Sequence, residues 1–119
     1  KMNPYLDYSE PIFWLSCLII DKDAMCKHSR TDYEYSYVHE VGKTCPDEIR
    51  DKLEEINVET RPIWKPMHLQ PLYKDNDLIK LDEDVAADIF DRGICLPSDI
   101  KMTDEEQDIV IEVIRSCFE

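Results

Sequence analysis

The sequence predicts a small α+β domain: a sheet of about three to four strands with three helices packed mainly on one face. Two observations carry that prediction. Short runs rich in β-branched and aromatic residues alternate with longer stretches whose apolar residues recur at helical spacing. Their order along the chain is strand, helix, strand, helix, strand, helix, without an internal repeat. A length of 119 residues fits one domain with a modest core.

The first element is a strand over residues 12–21, where "IFWLSCLII" lies between Pro11 and Asp21 and is apolar on both faces. Residues 22–44 are polar and carry three spaced tyrosines, Tyr33, Tyr35 and Tyr37. They read as a long surface loop or, from the alternation in "YEYSYVHEV", a short hairpin. A helix follows over 46–56: Pro46 suits its first position, Asp47 and Glu48 suit its positive end, and Ile49, Leu53 and Ile56 form a stripe. Residues 58–64 read as a strand entering a proline-rich segment. A helix over 82–92 is expected with Asp82 or Asp84 as its cap, Val85, Ala86, Ile89 and Phe90 inward, and Gly93 as a left-handed stop. Residues 94–97 form a short strand. Thr103 with Glu106 makes a capping box that opens a last helix over 103–117, with Ile109, Val110, Val113, Ile114 and Cys117 inward.

Composition narrows the function classes. A net charge of −13 repels nucleic acid and anionic lipid. The run 12–20 is too short to span a bilayer, and the start of the chain lacks the pattern of a secretion leader. Because the chain opens on Lys1, a preceding segment is expected. Five irregularly spaced cysteines fit a reducing cytoplasm better than a disulfide framework.

The residues that carry chemistry are few. Cys26, His28, His39 and Cys45 are zinc-type ligands, but their spacing is looser than that of structural zinc sites. With Gly42 and Gly93 the only glycines, a phosphate-cradling loop is ruled out. Cys17 and Cys95 fall inside apolar strands as fillers. The acidic clusters at 82–84 and 104–106 are explained by helix capping. What remains is "RPIWKPMHLQP" at residues 61–71. It lies in an acid-free window, 61–74, where an even spread would place about three acids. Pro62, Pro66 and Pro71 stiffen it, Trp64 offers a flat face, His68 a hydrogen bond, and Arg61 or Lys65 a charge for a phosphate. A positive patch suited to an anionic ligand is the expectation; turns that merely avoid acids, with Trp64 packed beneath them, are the plain alternative.

The motifs "VETRPIWKPMHLQPLY" and "IFDRGICLPSDIKMTDEEQDIVIEVI", with "FWLSCLIID" and "CPDEIRDKLEEINVETRP" before them, resemble the C-terminal region of the DegT/StrS nucleotide-sugar aminotransferases. The resemblance covers most of residues 12–117. It implies the small domain of a fold-type-I, pyridoxal-phosphate-dependent enzyme that moves an amino group from an amino acid to a keto sugar nucleotide. It further implies a homodimer, and a separate large domain that holds the cofactor and its Schiff-base lysine. Trp64, Lys65, Met67 and His68 would then border the substrate. Nothing in the chain resembles the cofactor lysine's surroundings, and Lys65 and Lys101 do not fit that role. No cofactor, catalytic residue or metal is therefore expected on this chain itself. Asp99 stands where many relatives have a small residue. A stand-alone binding module that reuses the domain is the rival reading.

Overall fold

The computed structural model describes residues 5–119. In chain order the elements are β1 (Ser16–Ile19), β2 (His28–Arg30), β3 (Tyr35–Tyr37), α1 (Pro46–Glu54), β4 (Arg61–Pro62), α2 (Val85–Arg92), β5 (Gly93–Leu96) and α3 (Asp104–Ser116). Single 3-10 turns occupy Lys22–Ala24 and Met67–Leu69. Among the described residues, β1, β5 and β4 form an antiparallel sheet with β5 in the middle, and β2 with β3 forms a hairpin. This is the small α+β domain expected.

The core lies under α1 and α3. Ile49 and Leu53 from α1 are fully buried and join Ile20, Ile94, Val110 and Cys117. Leu18, Val58, Leu96, Val113 and Ile114 close around them. The apolar stripe at i, i+4 of α1 explains why that helix folds against the sheet rather than standing free. The capping box of α3 is present, with Thr103 Oγ1 accepting from Glu106 N (3.2 Å) and Glu106 Oε2 from Thr103 N (2.9 Å).

Several boundaries differ from the sequence expectation, each for a local reason. The first strand is confined to four residues, because Phe13 adopts φ +50° and breaks the extended run. Ile12, Phe13 and Trp14 stand exposed at 88%, 72% and 69% instead of buried. α1 stops at Glu54 because Asn57, at φ +60°, closes it. Val58 N donates to Leu53 O and Asn57 N to Glu54 O, both at 2.9 Å, the Schellman pattern. Ile56 is consequently outside the helix and exposed.

The strand expected at 58–64 shrinks to Arg61–Pro62, since proline has no N–H for a ladder. α2 begins at Val85 with Asp84 as its cap, accepting from Ala87 N at 3.0 Å. Val85 and Ala86 face solvent, while Ile89 and Phe90 are half-buried. Ile109 of α3 is likewise half-exposed rather than inward. Gly93 is not a left-handed stop. Its φ is −105° and it opens β5 directly. No helix among the described residues is long and apolar enough to cross a membrane.

Candidate functional site

An open groove of about 1410 Å³ lies between the β2–β3 hairpin, the start of the proline-rich segment and α2. Its floor is the face of the sheet opposite the core. Cys95 faces Cys17 across β1 and Arg61 across β4, so these three side chains form a row on that face. Ile94, one residue earlier, points into the core and is 1% exposed.

The hairpin forms one wall, and α1 holds it in place. Arg30 of β2 donates from Nε to Asp47 Oδ2 (3.0 Å), and its guanidinium lies over the Phe90 ring at 5.2 Å. Tyr35 and Tyr37 donate their hydroxyls to the two oxygens of Asp51, at 2.7 and 3.0 Å. Those bonds hold the phenols protonated: acceptance by Asp51 pushes the Tyr35 pKa up, and burial together with Asp51 raises that of Tyr37. Arg50 stacks on the Tyr35 ring at 4.4 Å and reaches Asp47 Oδ1 at 3.3 Å. The tyrosine-rich segment is therefore a braced wall.

Of the sequence-nominated residues, Arg61, Trp64 and Lys65 line the groove, while Met67 and His68 do not. Trp64 is 65% exposed and pairs with Trp14, ring centroids 6.0 Å apart. It is not packed beneath a turn, which removes the plain alternative for that residue. Met67 is exposed and its Sδ lies 3.5 Å from Gln70 Nε2, which also donates to Lys65 O (3.2 Å). Gln70 thus braces the turn that carries Met67 and His68, a role the sequence reading missed.

The expected positive patch is absent. Folding brings an acid to every cation of the acid-free window that the site would use. Arg61 Nη2 meets Glu59 Oε1 at 2.6 Å, Lys65 Nζ is paired with Asp32, and His68 Nε2 lies 2.7 Å from Asp84 Oδ2 without hydrogen-bond geometry. The Ala87 N–H at the start of α2, with His68 beside it, holds the Asp84 carboxyl below the usual carboxylate range. Spacing along the chain says nothing about acids brought in from the β2–β3 turn or the cap of α2.

The four zinc-type ligands do not converge. His28 Nε2 meets Asp91 Oδ1 at 2.9 Å, His39 Nδ1 donates to Glu48 Oε1 at 2.7 Å, and the Cys26 and Cys45 thiols share a hydrogen bond. Among the described residues no three His, Cys, Asp or Glu side chains are grouped to hold a metal. Glu48, 2% exposed, is saturated by His39 and by Thr44 Oγ1 at 2.8 Å.

The buried thiols give a pH signature. Burial pushes Cys45 up to about 12, and Cys95 and Cys117 up to about 11, from an ordinary value of 9.0. The folded state keeps protons that the unfolded chain releases, so this contribution is complete below about pH 8 and fades as pH rises toward 11. The urea midpoint is expected to fall between pH 9 and 11, and Cys45→Ala to flatten that fall; an unchanged slope in the variant would count against it.

Lys65, the lysine that lines the groove, is ion-paired with Asp32.

Residues 18–115 match the DegT/DnrJ/EryC1/StrS aminotransferase family. The chain is 50% identical over 76 residues to "Putative pyridoxal phosphate-dependent aminotransferase EpsN" of Bacillus subtilis (strain 168), covering 61% of this chain and 19% of that protein. It is 31% identical over 72 residues to GDP-perosamine synthase of Escherichia coli O157:H7, covering 60% of this chain and 19% of that protein. The chain thus matches about a fifth of the length of these relatives, and the matched family region runs from the second half of β1 through most of α3. The chain belongs to the DegT/DnrJ/EryC1/StrS aminotransferase family.

Proposed function

We propose that this chain is the small, C-terminal domain of a pyridoxal-phosphate-dependent aminotransferase acting on a nucleotide-linked keto sugar, and that its groove borders the sugar-nucleotide site. The observation that carries the reading is the exposed Trp64 beside Arg61 and Lys65 on one rigid, proline-flanked edge. A tryptophan face suits a base or sugar, and the two cations suit a diphosphate. Their partners Glu59 and Asp32 sit in exposed or half-exposed pairs, which are worth little and are exchanged readily for a phosphate. Met67 and His68 lie on the following turn, outside the residues that line the groove.

The cofactor and the amino-transfer chemistry belong to a large domain and a second subunit outside these residues, in the cytoplasm. When bound there, pyridoxal phosphate supplies the electron sink for amino transfer. Here the chain's contribution is to bind and orient the sugar nucleotide. Ile12, Phe13, Trp14 and Trp64 expose large apolar side chains, and Trp14 meets Trp64, which supports a face built to be covered by another domain.

Two measurements test this. The isolated chain is expected to show no cofactor absorbance band with pyridoxal phosphate and no transamination. In the longer protein, Trp64→Ala and Lys65→Ala are expected to raise KM for the sugar nucleotide about tenfold each, about 1.4 kcal/mol, with kcat little changed. A drop in kcat at unchanged KM would place these residues away from substrate binding.

A further inference from the structure

We propose that Cys17 and Cys95, paired across the sheet with Cys95 lining the groove, form a dithiol site that takes a two-electron oxidation by peroxide to become a cross-strand disulfide. The two residues are direct partners in the β1–β5 register, and their Sγ atoms lie 3.7 Å apart. Ile20 N donates to Arg92 O at 3.0 Å, and the antiparallel ladder alternates from there, so Cys17 and Cys95 occupy a non-hydrogen-bonded pair. Such a pair brings the Cα atoms to about 4.5 Å, inside the range that a disulfide spans. Closing the sulfurs to a bond of about 2.05 Å takes side-chain rotation and leaves the register intact.

Access sets the order of events. Cys17 is half-buried, whereas Cys95 is 5% exposed and lines the groove. The Cys17 thiolate attacks one peroxide oxygen, the O–O bond breaks, and hydroxide leaves and takes up a proton as water. Cys17 sulfur is thereby oxidised to a sulfenic acid and the peroxide is reduced. The Cys95 sulfur then attacks the Cys17 sulfur, the S–O bond breaks, and hydroxide departs as water with the proton from Cys95. In sum, two thiols and one peroxide give one disulfide and two waters. Burial holds the Cys95 thiol near about 11, so it acts as the resolving partner and not as the first nucleophile.

Geometry distinguishes this pair from the chain's other thiol contact. Cys26 and Cys45 touch, but they are 4% and 0% exposed and neither lines the groove. Cys117 is buried against α1 and α3. Among the described residues, only the Cys17–Cys95 pair joins a half-buried cysteine to a partner directly across a ladder.

The test treats the native chain with a small excess of hydrogen peroxide and follows intact mass and cysteine-linked peptides. The expected product has lost two hydrogens, contains a Cys17–Cys95 peptide, returns to the thiol form with dithiothreitol, and melts several degrees higher than the reduced chain. Cys17→Ser is expected to abolish the mass loss and leave Cys95 open to alkylation after unfolding. Because that variant alters a packed strand, the wild-type chain is also alkylated before and after oxidation, which reads the pair without any substitution. Recovery of Cys17 as sulfinic or sulfonic acid beside a reduced Cys95 would overturn the proposal. So would a Cys26–Cys45 bridge formed in its place.

Discussion

Asp47→Ala is expected to lower the unfolding free energy by about 3–4 kcal/mol, a large share of what a domain of this size possesses. Asp47 is 1% exposed, and it holds three cationic contacts: Arg30 Nε at 3.0 Å, Arg30 Nη2 at 2.9 Å and Arg50 Nη1 at 3.3 Å. It also lies in the first turn of α1, where the helix dipole favours a negative charge. Alanine removes the charge and leaves Arg30, 15% exposed, with only the Phe90 carbonyl at 3.3 Å and the Phe90 ring. A buried guanidinium without its carboxylate is the expensive outcome, more so than the loss of the pair itself.

Asp47→Asn separates the parts of that effect. It keeps an acceptor for Arg30 and loses the charge, so an intermediate loss is expected. Asp51→Ala, which releases Tyr35 and Tyr37 but strands no charge, is expected to cost about 1–2 kcal/mol. Urea unfolding of the three variants checks the order. Equal losses for Asp47→Ala and Asp51→Ala would show that the hairpin is held by packing and not by its charges.

The contrast between Asp47 and Thr103 marks what could be seen in the sequence. The capping box joins residues three apart, and such a signal survives in one dimension. The helical stripes of α1 and α3 are legible for the same reason, because Ile49 and Leu53, or Val110 and Cys117, recur at the helix period. The brace between hairpin and α1 is not legible. Tyr35 is 16 residues from Asp51, and Arg30 is 17 from Asp47. Acids at the start of a helix have a sufficient local explanation, so Asp47 reads as a dipole residue although it is a buried anchor. The window 61–74 misleads in the opposite sense. It is free of acids along the chain, yet Lys65 meets Asp32, 33 positions away. The candidate edge was legible from its prolines and from Trp64, but Trp14, fifty positions earlier, was read as strand core and instead meets Trp64.

Gly93→Ala is expected to destabilise the fold by about 3 kcal/mol, at the upper end for overpacking, although alanine is ordinarily favoured over glycine in regular structure. The backbone at Gly93, φ −105°, suits any residue, so strain is not the issue. A Cβ there would lie 2.5 Å from Ile63 Cγ1 and 2.5 Å from the Ile89 carbonyl oxygen. Ile63 can turn aside, but the carbonyl belongs to α2 and cannot move without the helix. Relief therefore requires α2 to separate from β5, which carries Ile94 of the core and Cys95 of the groove floor. Gly42 provides the control. Its φ is +82° and nothing lies within 4 Å of the added carbon, so Gly42→Ala is expected to cost only the about 1–2 kcal/mol of a left-handed alanine. Thermal or urea unfolding of the two variants compares steric against conformational glycine use in one protein. A Gly93→Ala loss no larger than that of Gly42→Ala would mean that α2 yields freely. The α2–β5 junction would then be a soft edge of the groove, whereas the larger loss makes it the fixed one against which Arg61 and Trp64 are set.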